Sequence, residues 1–468
     1  MRNKPILRSA GYCLSTALLL SVASSSAWTA ATDPVNPLTK RFLSGKGLDI
    51  CDQGSFFVGG VPKVTNFATS TAGTTPAQVI IGQSYVQFQI PNKRRQWPLI
   101  LVHGSAHTGA DADATPNGTE GWLAHAVRNN LATFVTDQPG RGRSGSDASV
   151  INEAKAKIQA GDVAGGLALL PTIGGFASDS AWTSWFGHIV PAGSNIVTGT
   201  MIRHGDSGDP HPPETNPPSD AHGNYPPAFP IPPVDSSIDA NIQARVGAIG
   251  PAPNPANNAY LALNYNKQLV PNFEALLPTS ICASCVPTTV ASDSTWDGRA
   301  MADLVERLGG AIVSPHSQSG IHLLHMIRVL KERGKLNLVK GIIIPESAIG
   351  LGNLVNAGIT PQDFDSIPFL LMNGDYRNAA ARNGNRTMIA AMNASPTRSV
   401  GPATYVDLDD PSFGGKFLGT THMVMLGTTN LDVFDYALAW ADKNIPNPIV
   451  QNACPSGPPP GKGPKTQD

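Results

Sequence analysis

The sequence predicts an α/β protein, with a mostly parallel central sheet, helices on both faces and one large insertion acting as a cap. Three observations carry this. The run Trp97-Pro98-Leu99-Ile100-Leu101-Val102 is continuously apolar, the mark of a strand buried on both faces. From Asp297 to Ile445, short apolar runs alternate with stretches of helical spacing, the rhythm of βαβ units and parallel strands. Between these regions the rhythm breaks: ten of the 24 residues from Pro210 to Pro233 are proline, so neither strand nor helix can run through them.

Residues 1–31 read as an export signal. Arg2, Lys4 and Arg8 form a basic start, an apolar stretch follows from about Tyr12 to Ala23, and cleavage after Ala27 or Ala31 satisfies the small-residue rule. That stretch is too short to anchor the chain, and no later one reaches about 18 apolar residues. A secreted or periplasmic protein without a stable membrane anchor is expected.

The first part of the core, 32–145, should hold short strands at Phe56–Val61 and Tyr85–Ile90, then the buried strand ending at Val102. Gly121–Asn130 has helical spacing, with Trp122, Leu123 and Val127 on one side, and Ala132–Thr136 is a second buried strand. The insertion, 146–290, starts with a helix near Asn152–Leu170, continues mostly as turns, and closes with a helix over Asn257–Leu277. In the second part of the core, 291–450, helices are expected at Asp297–Leu308, Gly320–Lys335, Arg382–Asn393 and Leu431–Ile445. Strands are expected at Ala311–Val313, Val339–Ile344, Phe369–Met372 and Ala403–Leu408. Residues 451–468 are rich in Pro, Gly and Lys and read as a disordered tail.

Composition narrows the function classes. The 468 residues carry 33 Lys+Arg against 34 Asp+Glu, a net charge of −1, which removes the electrostatic case for nucleic acid as a partner. With 41% hydrophobic and 14% charged residues the chain can bury a large core. Beyond Cys13 in the signal, Cys51, Cys282, Cys285 and Cys454 are an even set, which in an oxidising compartment suggests two disulfides with three connectivities open. Cys282-x-x-Cys285 as a zinc site would need two more ligands at matching spacing, and no second C-x-x-C exists.

The segment that carries chemistry is Ala311-Ile-Val-Ser-Pro-His-Ser-Gln-Ser-Gly320, an apolar strand entering a helix through a tight turn. Such a turn exposes a nucleophile at the sheet edge, and its cramped backbone asks for small residues at −2 and +2. Ser317 has Pro315 and Ser319 there, whereas Ser319 would have Ile321 at +2 and Ser314 would have Ile312 at −2. His103-Gly104-Ser105, after the first buried strand, offers backbone N–H groups, and the amides of Ser105 and Gln318 are the expected oxyanion donors. Gly419-Thr-Thr-His-Met-Val-Met425 places His422 after the last strand and before the final helix, and resembles the loop where α/β-hydrolases keep their catalytic histidine, which implies a general base there. His316, His322 and His325 are better read as packing or supporting residues.

The acid has two candidates. In α/β-hydrolases, which this arrangement resembles, the acid commonly follows the strand Pro368–Gly374, three residues beyond the glycine; that position holds Arg377, which cannot orient a histidine, while Asp375 lies one residue past the glycine. The preceding strand ends Ile342-Ile-Ile-Pro-Glu346, which puts a carboxylate on the same sheet edge as Ser317. Glu346 is preferred and Asp375 is the alternative.

With these residues in place the chain resembles a small family of secreted bacterial α/β-hydrolase esterases, marked by S-x-S-Q-S-G-like elbows and a Thr/Ser-His-Met-x-Met histidine loop. The likeness covers roughly residues 85–145 and 255–445. It includes Asp137-Gln-Pro-Gly-Arg-Gly-Arg-Ser-Gly145, similar to the D-x-x-G-x-G-x-S turn of the superfamily. Some relatives carry paired cysteines where this chain has Ser105-Ala106. The family takes its acid from a glutamate after the sixth strand, which matches Glu346. The resemblance implies a serine carboxylesterase with Ser317, His422 and Glu346 as its triad, no metal or organic cofactor, and a small-molecule or polymeric ester as substrate. Trp182, Trp185 and Phe186 in the cap are candidate pocket liners or anchors.

Alternatives remain on the sequence alone. Another acyl bond (lactone, amide or polyester) is a second enzymatic reading, and a non-catalytic binder on a hydrolase scaffold is the non-enzyme one. Arg203–His211 gathers two His and two Asp and offers a rival metal site, although loops of this composition are commonly solvated turns. The oligomeric state is open, a dimer being one option.

Overall fold

The computed structural model describes residues 47–69, 73, 75–105, 107–115, 120–169, 296–347, 349–374, 377, 379–417, 420–427 and 429–450, with the backbone alone of 188–192 and 195–202. The chain divides into two compact units, Met1–Gly45 and Lys46–Asp468, and every described residue lies in the second. The signal, the helix expected at Asn257–Leu277, Trp182, Trp185, Phe186, the Arg203–His211 loop, Cys282, Cys285, Cys454, Asp375 and the tail lie outside the described residues. Cys51 is half-buried, with its Sγ 3.7 Å from the Pro91 carbonyl oxygen.

Strands β1 (Ile50–Thr65), β2 (Ala77–Pro91), β4 (Leu99–Val102), β5 (Thr133–Asp137), β8 (Ala311–Pro315), β9 (Val339–Pro345), β10 (Phe369–Asn373) and β11 (Thr404–Asp407) form one sheet. Its order is β1-β2-β5-β4-β8-β9-β10-β11, antiparallel at the first two junctions and parallel thereafter. Two short ladders stand apart: β3 (Arg94–Arg95) with β12 (Ile449–Val450), and β6 (His188–Ala192) with β7 (Asn195–Ile202).

The central strands carry unbroken apolar runs because both faces are covered. Along β4, Ile100 and Val102 enter one core while Leu99 and Leu101 enter the other. The same alternation holds in β9, where Ile342 and Ile344 oppose Ile343, and in β10, where Phe369 and Leu371 oppose Leu370 and Met372. One face receives α4 (Trp296–Arg307), α5 (Ser319–Glu332), α6 (Leu351–Ala357) and α7 (Ala379–Asn393), through residues such as Leu304, Leu323, Leu354 and Met388. The other receives α1 (Trp122–Arg128) and α8 (Asn430–Asn444), through Trp122, Phe434 and Ala437. This two-faced parallel arrangement is that of the α/β-hydrolase fold.

Four features differ from expectation. The two early strands are 16 and 15 residues long, because only Tyr85–Gln89 of β2 pairs with the sheet proper. The rest of the hairpin is carried by backbone pairing from Val58↔Ser84 out to Thr65↔Ala77, so the apolar pattern marked only the part over the core. The helix expected near Asn152–Leu170 is two helices, α2 (Ala148–Gln159) and α3 (Val163–Leu169), separated where Gly161 adopts φ +91°. Within the stretch read as turns, the backbone of β6 and β7 forms an antiparallel hairpin, and α6 follows β9 where no helix was expected.

Candidate active site

The parallel strands β8, β9 and β10 end on one edge, and three of the singled-out side chains converge there. Ser317 occupies the turn from β8 into α5 with φ +54°, and Glu346 occupies the turn after β9 with φ +53°. Among the described residues only one other non-glycine, Asn130, has positive φ. A non-glycine residue held there costs on the order of 1 kcal/mol or more, so both turns must be clamped by their surroundings. They clamp each other. The Ser317 N–H donates to the Glu346 carbonyl at 3.1 Å, and Ser347 Oγ donates to the Ser317 carbonyl at 2.8 Å. The Glu346 N–H in turn donates to the Met372 carbonyl at 2.8 Å, tying the second turn to β10.

His422 comes from the loop between β11 and α8 and is buried. Its Nδ1 lies 2.9 Å from Glu346 Oε2 and its Nε2 lies 2.9 Å from Ser317 Oγ. A carboxylate only accepts, so Nδ1 carries the proton and Nε2 is left to accept from the serine hydroxyl. Burial pushes the His422 pKa below its ordinary value, against the upward pull of Glu346, so the ring is neutral at pH 7 and able to take a proton. Burial alone would raise the Glu346 carboxyl. The hydrogen bond and charge of His422, the Arg377 guanidinium and the Gly374 N–H together outweigh it and hold the carboxyl below the ordinary glutamate value.

Gln318 lies on the same turn, and Ser105 lies in the loop after β4, the strand paired with β8. Gln318 follows Ser317 as the first residue of helical conformation, at φ −55° and ψ −35°. The competing serines are placed otherwise: Ser314 is buried inside β8, and Ser319 is buried with its Oγ donating to the His103 carbonyl at 2.5 Å. His322 is buried 3.2 Å from Asp297, and His325 is held neutral, its pKa pushed down to about 3 by burial. Asp137, opening the glycine-rich turn after β5, accepts from the Gly109 N–H at 2.6 Å and from the Arg143 N–H at 2.8 Å, which joins that turn to the loop after β4. Among the described residues, no group of three or more His, Cys, Asp or Glu is placed to hold a metal ion.

Three residues to which sequence reasoning gave no catalytic role touch this constellation. His316 donates through Nε2 to the His422 carbonyl at 2.8 Å, and its ring packs against that of His422 with centroids 4.9 Å apart. Arg377 lies 3.7 Å from Glu346 Oε2, and Arg141 is fully buried behind Gln318. Only His316 carried a signal, its place next to the nucleophile candidate.

No family model matches the chain. It is 20% identical over 399 residues to a probable secreted lipase, phiG, of a fungal species (strain ATCC 74256), an alignment covering 77% of this chain and 85% of that protein. The atomic-resolution structure of a novel bacterial esterase aligns with a TM-score of 0.58 at 25% identity, over 85% of this chain and 98% of that one. Fold and likeness define the class: an α/β-hydrolase-type protein of the esterase and lipase kind.

Proposed function

We propose that this carboxylic-ester hydrolase works by two-step acyl transfer outside the cytoplasm, with Ser317 as nucleophile. His422 takes the Ser317 proton as Oγ attacks the ester carbonyl and returns it to the leaving alcohol. Glu346 keeps the imidazole in its Nδ1–H tautomer and stabilises the imidazolium. The Ser105 and Gln318 amides hold the tetrahedral oxyanion, and water activated by the same histidine releases the acid product. The observation that carries this reading is the unbroken chain Ser317 Oγ, His422, Glu346, with 2.9 Å at each link.

Export is supported by the basic and apolar start of the sequence and by the secreted fungal relative. No helix among the described residues is long and apolar enough to cross a membrane. Substrate choice is assigned to the insertion at 146–290. It leaves the core after β5, whose C-terminal end lies on the same sheet edge as Ser317, and returns at α4.

Ser317→Ala tests the reading, assayed on p-nitrophenyl esters of increasing acyl length. We expect kcat to fall about 10³–10⁶-fold with an unchanged unfolding midpoint. Near-parent turnover in the folded variant would remove Ser317 as nucleophile.

A further inference from the structure

Gly104 and Ser105 share one planar peptide group, whose C=O and N–H point in opposite directions. On the proposed mechanism its N–H faces the oxyanion. On the other side, the Gly104 carbonyl oxygen accepts twice: from His103 Nδ1 at 2.7 Å and from Arg141 Nη1 at 3.1 Å. The Arg141 guanidinium reaches further. Nη1 also lies 2.7 Å from Gln138 Oε1, and Nη2 donates to Gln318 Oε1 at 3.0 Å. Gln318 carries the second oxyanion amide, so one side chain bonds both segments that supply donors.

Gln138 completes the frame. Its Nε2 donates to the His103 carbonyl at 2.8 Å and to Ser319 Oγ at 2.7 Å. Its backbone N–H donates to His103 Nε2 at 3.1 Å, which leaves the His103 proton on Nδ1, where the Gly104 carbonyl needs it. The frame is pressed against the nucleophile turn. A Cβ on Gly104 would sit 2.8 Å from His316 Nδ1 and 2.9 Å from Ser317 Cβ, so only glycine lets the loop approach this closely.

Arg141 is 0% exposed, and a buried guanidinium is costly to strip of water. Filling space would not call for one. A rigid planar fork, however, can meet acceptors on different segments at once, which a lysine ammonium cannot do with fixed geometry. A cation on the carbonyl side of a peptide also strengthens its N–H as a donor, most of all in a low-dielectric site facing a developing negative charge.

We propose that Arg141 is a positioning residue for ester hydrolysis: it locks the Gly104–Ser105 peptide against the Gln318 turn and so sets the oxyanion hole. This rests on the assignment of Ser317 as nucleophile and of the Ser105 and Gln318 amides as donors.

The test compares Arg141→Met and Arg141→Lys with the parent on a p-nitrophenyl ester and on its thionoester, in which sulfur replaces the carbonyl oxygen. Thiocarbonyl sulfur is a poor hydrogen-bond acceptor, so the oxo-to-thiono ratio of kcat/KM reads the oxyanion hole itself. In Arg141→Met we expect the oxoester kcat to fall about 10²-fold, as for loss of one oxyanion donor. KM should stay near parent, and the oxo-to-thiono ratio should fall at least about tenfold. Arg141→Lys, which keeps charge and bulk but loses the fork, should fall between the two and decides the matter if Arg141→Met does not fold. An oxo-to-thiono ratio unchanged in the folded variants, whether both rates hold or both drop together, would overturn the proposal. Ser317→Ala run alongside separates the two failures. Activity retained there sinks the nucleophile assignment, whereas an inactive Ser317→Ala with an unchanged ratio sinks only the role of Arg141.

Discussion

The guanidinium of Arg377 lies 3.7 Å from Glu346 Oε2, the same oxygen that faces His422 Nδ1. Arg377 stands after β10, where a carboxylate was sought, and it supports a carboxylate that sits one strand earlier. Its charge lowers the pKa of both Glu346 and His422. Arg377→Met should therefore raise the His422 pKa, and the acid limb of the kcat/KM profile should move to higher pH. Above that limb, where His422 is neutral in either protein, rates should converge. A pH–rate profile measured on both proteins checks this, and a limb moving to lower pH would contradict it.

His316 makes a different kind of contact, a donor from the Ser317 turn to the backbone of the His422 loop. Burial is the main cause holding its pKa well below the ordinary histidine value, so no second cation forms beside the His422 imidazolium. His316→Phe keeps a ring of similar size and deletes the donor. One lost hydrogen bond is worth about 0.5–1.5 kcal/mol, which corresponds to a fall in kcat of up to about tenfold. Steady-state kinetics should show that fall with KM unchanged, and an unaltered kcat would mean that the bond does not position His422.

Asp297, at the start of α4, is buried, and burial raises its pKa to about 7, against a downward pull from Arg141. Its folded pKa thus exceeds the unfolded value of about 3.9. Folding favours the protonated form, and stability from this group is lost as pH rises from the unfolded value through about 7. Asn mimics the protonated acid. Asp297→Asn should unfold at a higher temperature than the parent at pH 8, by a margin that shrinks as pH falls and closes only near pH 3, below the unfolded value of about 3.9. The opposite order at pH 8 would show a carboxylate kept ionised by His322, whose Nδ1 is 3.2 Å away.

The sequence exposed much of the fold because two-sided burial leaves a local trace. Leu99–Val102, Ile342–Ile344 and Phe369–Met372 are apolar without interruption only because helices cover both faces. Ser317 and Glu346 could be singled out for a related reason, since each lies within a few residues of the end of an apolar run on the same sheet edge. What escaped is set by three-dimensional closure. Arg141 and Gln138 read as ordinary members of a glycine-rich turn, and nothing local marks the Gly104 carbonyl or Gln318 as their targets. Arg377 read as an obstacle because its partner lies 31 positions back along the chain. The hairpin β1–β2 outran its apolar signal because backbone pairing needs no particular side chain.

The most direct test of the central claim is to label the intact protein with a fluorophosphonate and map the adduct by peptide mass spectrometry. The account predicts a single adduct on Ser317, loss of esterase activity in step with labelling, and no adduct in Ser317→Ala. Labelling on another serine, or full esterase activity with Ser317 unmodified, would contradict it.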